Sequence, residues 1–153
     1  MVALLPSLVL GPPINRLDAP DDLSASLGLV FAILAGLKPT LDPPAPIHHF
    51  VDVRDVALAH VRAATCKAAR DQRILLNAGG FSETEMAQIM REKCSSELSG
   101  KTTPLSEANR LALHEKAPNR FTSSRAKELL SMQYRSFETT IVDTVHALRV
   151  LLS

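Results

Sequence analysis

The order of apolar and polar positions divides the chain into strand-length and helix-length pieces. Val2 to Leu5 is a continuous apolar run, the pattern of a strand covered on both faces in a parallel sheet. Pro6 has no N–H, so the strand is expected to end there, and Gly11-Pro12-Pro13 marks a turn. From about Pro20 onward, Leu23, Leu27, Val30, Leu34 and Leu37 recur at steps of four and three, which predicts a helix. Pro39, Pro43, Pro44 and Pro46 make the next stretch a loop. Phe50 to Val53 reads as a short strand. Asp55 is then the expected N-cap of a helix running to about Arg70, with Ala57, Val61, Ala64 and Ala68 on its inner face. Ile74 to Leu76 is another strand, closed by Gly79-Gly80. Ser82 and Glu85 have the spacing of a capping box ahead of Met86, Ile89 and Met90. Ser106 opens a helix that ends before Pro118, Ser123 opens one reaching Leu130, and Ser136 caps a last helix with the stripe Ile141, Val145, Leu148 and Leu152. Strands alternating with helices place the chain in the α/β class. A strand buried on both faces at the start of the sequence, with few strands left to flank it, stands out.

Composition narrows the function classes. With 153 residues and 46% hydrophobic content the chain is long enough for one domain, which buries about two-thirds of its unfolded surface. Lys and Arg number 17 against 16 Asp and Glu, and no basic stripe stands out, so nucleic acid is not an expected partner. The longest uncharged apolar run, Leu27 to Leu37, has 11 residues, short of the roughly 18 a membrane helix needs. Val2 to Leu5 has no basic residue before it and is interrupted by Pro6, which argues against a secretory signal. Cys66 and Cys94, with 27 residues between them and no CxxC, suit a reducing compartment, and a cytoplasmic protein is expected.

The chemistry-bearing motifs are few. Gly11, Gly28, Gly36, Gly79, Gly80 and Gly100 include no GxGxxG and no Walker loop. The single tyrosine, Tyr134, is followed four residues on by Glu138, so the 153 residues hold no Tyr-x-x-x-Lys pair to lower a phenol's pKa for proton transfer. His48 and His49, near Asp52 and Asp55, are adjacent on an extended segment and point to opposite faces, so no metal is expected. His60 reads as a hydrogen-bonded helix residue, Cys66 as small-residue packing in an alanine-rich helix, and Arg125 to Lys127 as a wet helix face. Pro6 and Ser7 lie where the first strand ends. In open parallel sheets that end meets ligands, although a loop that merely turns the chain has the same pattern.

The order of segments resembles a known family. Leu5-Pro6-Ser7-Leu8-Val9-Leu10-Gly11-Pro12, then Phe50-Val51-Asp52-Val53-Arg54-Asp55-Val56-Ala57-Leu58-Ala59-His60, is similar to the extended short-chain dehydrogenase/reductases of the NAD-dependent epimerase/dehydratase superfamily. The nearest branch is that of dihydroflavonol-reductase-like ketoreductases and fungal methylglyoxal reductases. Ser123 to Leu130, followed by Phe137-Glu138-Thr139-Thr140 and Asp143-Thr144, resembles the same family's closing helices, with Ser131 where the family usually has glycine. The resemblance implies the C-terminal part of a Rossmann-like doubly wound parallel sheet interleaved with a mostly helical substrate lobe, as one partial domain over residues 1–153. The family's Gly-rich turn and catalytic Ser, Tyr and Lys belong to an N-terminal half absent from these residues, so no catalytic residue is expected here. It implies NADP(H) as cofactor, with NAD(H) still open, and a small carbonyl compound reduced to an alcohol. By family position Pro6, Ser7 and Leu8 lie against the nicotinamide end, and Ser26 is a further polar contact, although Ser26 also reads as a water-facing residue early in a helix. Asp52 and Asp55 are read as structural. A fragment inactive alone is therefore expected; the alternative is a non-catalytic module derived from such a reductase that associates through an exposed sheet edge.

Overall fold

The computed structural model describes residues 1–38, 48–95 and 121–152. The helix expected between Ser106 and Pro118 and the loop from Pro39 to Pro46 lie outside the described residues. The first strand is two strands. Ala3–Pro6 (β1) and Leu8–Leu10 (β2) are halves of one extended segment broken at Ser7, and they pair with different partners. Taking His48–Asp52 as β3, Arg73–Leu76 as β4 and Gly79–Phe81 as β5, β1 runs parallel to β4 with Leu4 beside Ile74, while β2 runs parallel to β3 with Leu8 beside Phe50. β5 lies antiparallel on the other side of β3.

The break has a cause in the pleat. Val2 and Leu4 pack in one hydrophobic cluster together with Val9, whereas Leu8 and Leu10 face the other. Leu4 and Val9 are an odd number of residues apart and would point to opposite faces of an unbroken strand. One step of the alternation is therefore lost around Pro6 and Ser7, where proline contributes no ladder donor. The Ser7 amide and hydroxyl both donate to the Leu76 carbonyl, at 3.0 and 3.2 Å, and hold the break in place. Among the described residues β1 pairs on one edge only, and Leu5 and Pro6 are exposed. The full cover expected for Val2 to Leu5 is thus only half supplied by these residues.

Helices cover the strands in two layers. Ala25–Leu34 (α1), Glu83–Lys93 (α3) and Phe137–Leu148 (α5) close one core over Leu10, Phe50 and Phe81. There the Phe81 and Phe137 rings stack at 4.5 Å, and the Phe50 and Phe137 centroids lie 4.9 Å apart. Val53–Thr65 (α2) and Ser124–Leu130 (α4) close a second core of mostly small residues, with Ala59, Ala63, Ala69 and Ala126 against Val51, Ile74 and Leu76. None of the helices among the described residues is long and apolar enough to cross a membrane.

Several expectations shift. The helix expected from Pro20 begins as a 3-10 turn at Pro20–Asp22, and α1 starts only after Ser24, whose hydroxyl accepts the Leu27 N–H. It stops before Leu37: the Leu37 N–H donates to the Ala32 carbonyl (2.9 Å) and the Gly36 N–H to Ile33 (3.3 Å), with Gly36 at φ 68°. This pair of bonds reverses the chain at a helix end and needs a left-handed residue, so Leu37 points into solvent rather than extending the stripe. Asp52, not Asp55, caps α2, and the buried face is Ala59 and Ala63 while Val61 is 67% exposed. In a helix this rich in alanine, small residues lie on every side and spacing alone cannot pick the inner one. Gly79 and Gly80 close no strand; they form one, which the low strand preference of glycine hid.

Ser131, at the end of α4, has φ 51°. A side chain in this left-handed region costs on the order of 1 kcal/mol, and glycine relieves it. Ser131→Gly is therefore expected to stabilise the chain by about 0.5–1 kcal/mol, read as a higher urea midpoint with an unchanged slope. A lower midpoint would show that the serine side chain makes a compensating contact.

Candidate functional site

A cavity of about 590 Å³ opens where β2 and β3 end, between the first turns of α1 and α2. Its volume is in the range of small-molecule sites. Leu10, Pro12, Leu27 and Ala57 give it an apolar wall, while Ser24, Ser26 and Arg54 supply polar groups. Ser24 and Ser26 hydroxyls lie 3.3 Å apart at the start of α1. Asp22 is also on the lining, its carboxylate accepting the Asp18 and Ala19 amides at 2.9 Å each.

Gly11 brings the wall together. Its φ is 128°, and a Cβ there would lie 2.8 Å from Val53 Cγ1 and 3.3 Å from the Asp52 carboxylate. Only a residue without a side chain allows the segment after β2 to rest on the junction of β3 and α2.

That junction is held by a buried carboxylate. Asp52 is fully buried; its Oδ1 accepts the Arg54 amide (2.8 Å) and Nε (2.9 Å), and its Oδ2 accepts Arg54 Nη2 (2.7 Å) and the Thr140 hydroxyl of α5 (2.9 Å). The far side of the guanidinium donates to Asp143 of α5 at 2.6 Å. Burial alone would raise the Asp52 pKa, but the hydrogen bonds from the Arg54 side chain and backbone and from Thr140 outweigh it and hold the carboxyl below the ordinary range. The same contacts push the Arg54 guanidinium up, so it stays charged. One turn along α2, buried Asp55 accepts the Arg135 amide at 2.8 Å and its guanidinium, fastening the segment between α4 and α5.

The four residues singled out by family position divide. Ser26 is on the cavity wall. Pro6, Ser7 and Leu8 are not part of its lining; they form the break between β1 and β2, immediately before Val9 and Leu10, which are. His48 and His49 diverge as alternation requires: the His48 ring lies 5.3 Å from Phe81, with Nε2 3.7 Å from Glu83, and the His49 ring lies 4.7 Å from Phe121. His60 Nδ1 is 2.8 Å from the Val56 carbonyl, and the half-buried Cys66 thiol donates to the Leu129 carbonyl at 3.3 Å. Burial pushes the Tyr134 phenol up. No group of three or more His, Cys, Asp and Glu among the described residues is arranged to hold a metal. Sequence reasoning missed Arg54 and Asp143, because their pairing joins positions 89 residues apart.

Because its pKa is depressed in the folded state, Asp52 contributes stability that is fully present above its ordinary value and lost as pH falls through the lower folded value, below about pH 4. Asp52→Asn is expected to cost about 3 kcal/mol at pH 7 by removing the buried charge that the partly exposed Arg54 guanidinium and the Thr140 hydroxyl are arranged around. It should also flatten the loss of stability below pH 4, checked by denaturant titration across pH. Equal acid sensitivity in the variant would assign that loss to other carboxylates.

No family model matches the chain. Individual relatives do. The NADPH-dependent methylglyoxal reductase of Saccharomyces cerevisiae is 28% identical over 144 residues, 94% of this chain and 41% of that protein. Cinnamoyl-CoA reductase 1 of Arabidopsis thaliana is 33% identical over 149 residues, 97% of this chain and 39% of that protein. The crystal structure of Gre2 from Candida albicans in complex with NADPH superposes with a TM-score of 0.75 at 28% identity, covering 99% of this chain and 44% of that one. The chain thus spans about 40% of the length of the curated relatives it matches. Sequence and fold agree: the chain belongs to the extended short-chain dehydrogenase/reductase family and corresponds to the C-terminal half of one of its reductases.

Proposed function

We propose that these residues form the substrate side of an NADPH-dependent reductase of aldehydes and ketones. The observation that carries this reading is the cavity at the strand ends, apolar on most of its wall and bordered by Ser26, directly after the break at Ser7. Relatives named for NADPH-dependent carbonyl reduction align over nearly all of the chain and support it. The residues at the break suit a nicotinamide. Pro6 offers an exposed apolar ring without an N–H, and the Ser7 hydroxyl, its proton committed to the Leu76 carbonyl, keeps lone pairs that accept a carboxamide N–H. Bound NADPH supplies the hydride. The chain's own part is to seat the carbonyl compound, exclude water with Leu10, Pro12 and Leu27, and orient polar groups through Ser7 and Ser26. These 153 residues hold no Tyr-x-x-x-Lys pair, and on this reading the remainder of the reductase supplies it for proton transfer.

The test joins the N-terminal remainder of the Saccharomyces methylglyoxal reductase to this chain. NADPH oxidation with methylglyoxal is expected for the joined protein and not for the 153 residues alone. Ser7→Trp in the joined protein should raise KM for NADPH by about fivefold, roughly 1 kcal/mol, with less effect on KM for the aldehyde. Unchanged cofactor kinetics would remove Pro6 to Leu8 from the site, and turnover by the chain alone would contradict the division of labour.

A second reading is favoured by the edge of β1 that has no strand partner among the described residues. Leu5, 36% exposed beside that edge, makes it a template for strand pairing. On this reading the chain is an interaction module that associates through β1. Light scattering on the 153-residue chain should then show self-association that Leu5→Lys weakens; a monomer in both forms would dismiss the module.

A further inference from the structure

Two charged side chains are on the described lining of the cavity, Asp22 and Arg54. An arginine on the wall of a small-molecule site ordinarily recruits carboxylates or phosphates, because its planar fork matches two oxygens. Here three of the five N–H donors are already engaged by carboxylates of the chain itself. Nε and Nη2 donate to Asp52 at 2.9 and 2.7 Å, and Nη1 donates to Asp143 at 2.6 Å. Two carboxylates around one guanidinium leave a net negative charge, and Asp22 adds another on the same lining.

The two acids are not equivalent. Asp52 is fully buried and also caps α2 and accepts from Thr140, so the fold needs it. The Asp143 side chain is 37% exposed, and Arg54 is its only partner among the contacts described above. Its α5 position does not line the cavity. We propose that Asp143 is a specificity-determining residue: by occupying the outer edge of the Arg54 guanidinium it sets the cavity to take carbonyl compounds without a negative charge and to reject those carrying a carboxylate. The inference rests on the reading of this cavity as the carbonyl-compound site.

Two ketones of one skeleton test it, 4-phenylbutan-2-one and 2-oxo-4-phenylbutanoate, which differ by a methyl group against a carboxylate. Binding of each to the 153-residue chain is followed by NMR through the Ser26 amide and the Leu27 methyls. The neutral ketone is expected to bind about tenfold more tightly than the oxo acid. Asp143→Asn should narrow that ratio by about tenfold, Asp143→Ala should do the same, and Asp143→Glu should keep the original preference. Equal binding of the two ketones by the unsubstituted chain overturns the inference whatever the variants do. So does a ratio that neither Asp143→Asn nor Asp143→Ala changes, and in both cases binding of the neutral ketone leaves the cavity reading standing. If neither ketone perturbs Ser26 or Leu27, the cavity reading falls and the inference falls with it.

Discussion

A carboxylate with no access to water fixes the centre of this structure. Burying Asp52 would be costly unless every lone pair facing the interior were engaged. It is engaged from three directions: the first turn of α2, the Arg54 guanidinium and the Thr140 hydroxyl of α5. The same carboxylate lies 3.3 Å from where a Cβ on Gly11 would be, so the turn after β2 must pass as bare backbone. The cavity exists because these constraints coincide. β2 ends, Gly11 lets the chain leave, and two helices begin within reach of one another.

The second constraint is the break at Ser7. One extended segment serves two sheets, and the lost step of alternation lets its first half pack with the alanine-lined core and its second half present Leu8 and Leu10 to the phenylalanine core. Because Ser7 spends both its donors on the Leu76 carbonyl, the end of β1 is fastened to the end of β4 rather than left as a loose loop. This is the strand-end position at which open parallel sheets meet their ligands. The fold therefore puts a fastened polar corner beside an apolar cavity.

Much of this was legible in the sequence, for physical reasons. Long, strongly periodic pieces such as the Ile141–Val145–Leu148 stripe came through because their burial is decided by spacing, and Ser82 and Ser136 announced their helices through capping chemistry. The order of segments around Pro6 to Pro12 and Phe50 to His60 carried the family. Other features were hidden. Asp52 and Asp55 are both good caps three residues apart and both are buried; only their tertiary partners decide between them, Thr140 for Asp52 and Arg135 for Asp55. The alanine-rich α2 offers no contrast between faces. The Gly79–Phe81 strand is held by pairing to β3, not by its own preferences. The cavity's electrostatics were the least visible, because they depend on Arg54 meeting Asp143, 89 residues further along the chain.

The wall of the cavity depends most on the state of the Asp52 carboxyl, and a site-resolved carbon NMR titration of the aspartate side chains measures it directly. Asp52 is expected to titrate below the ordinary aspartate value of 3.8, because its bonds from Arg54 and Thr140 outweigh the cost of burial. A midpoint at or above that value would mean that desolvation wins, that the carboxylate does not command the guanidinium, and that the wall of the cavity is held by something else.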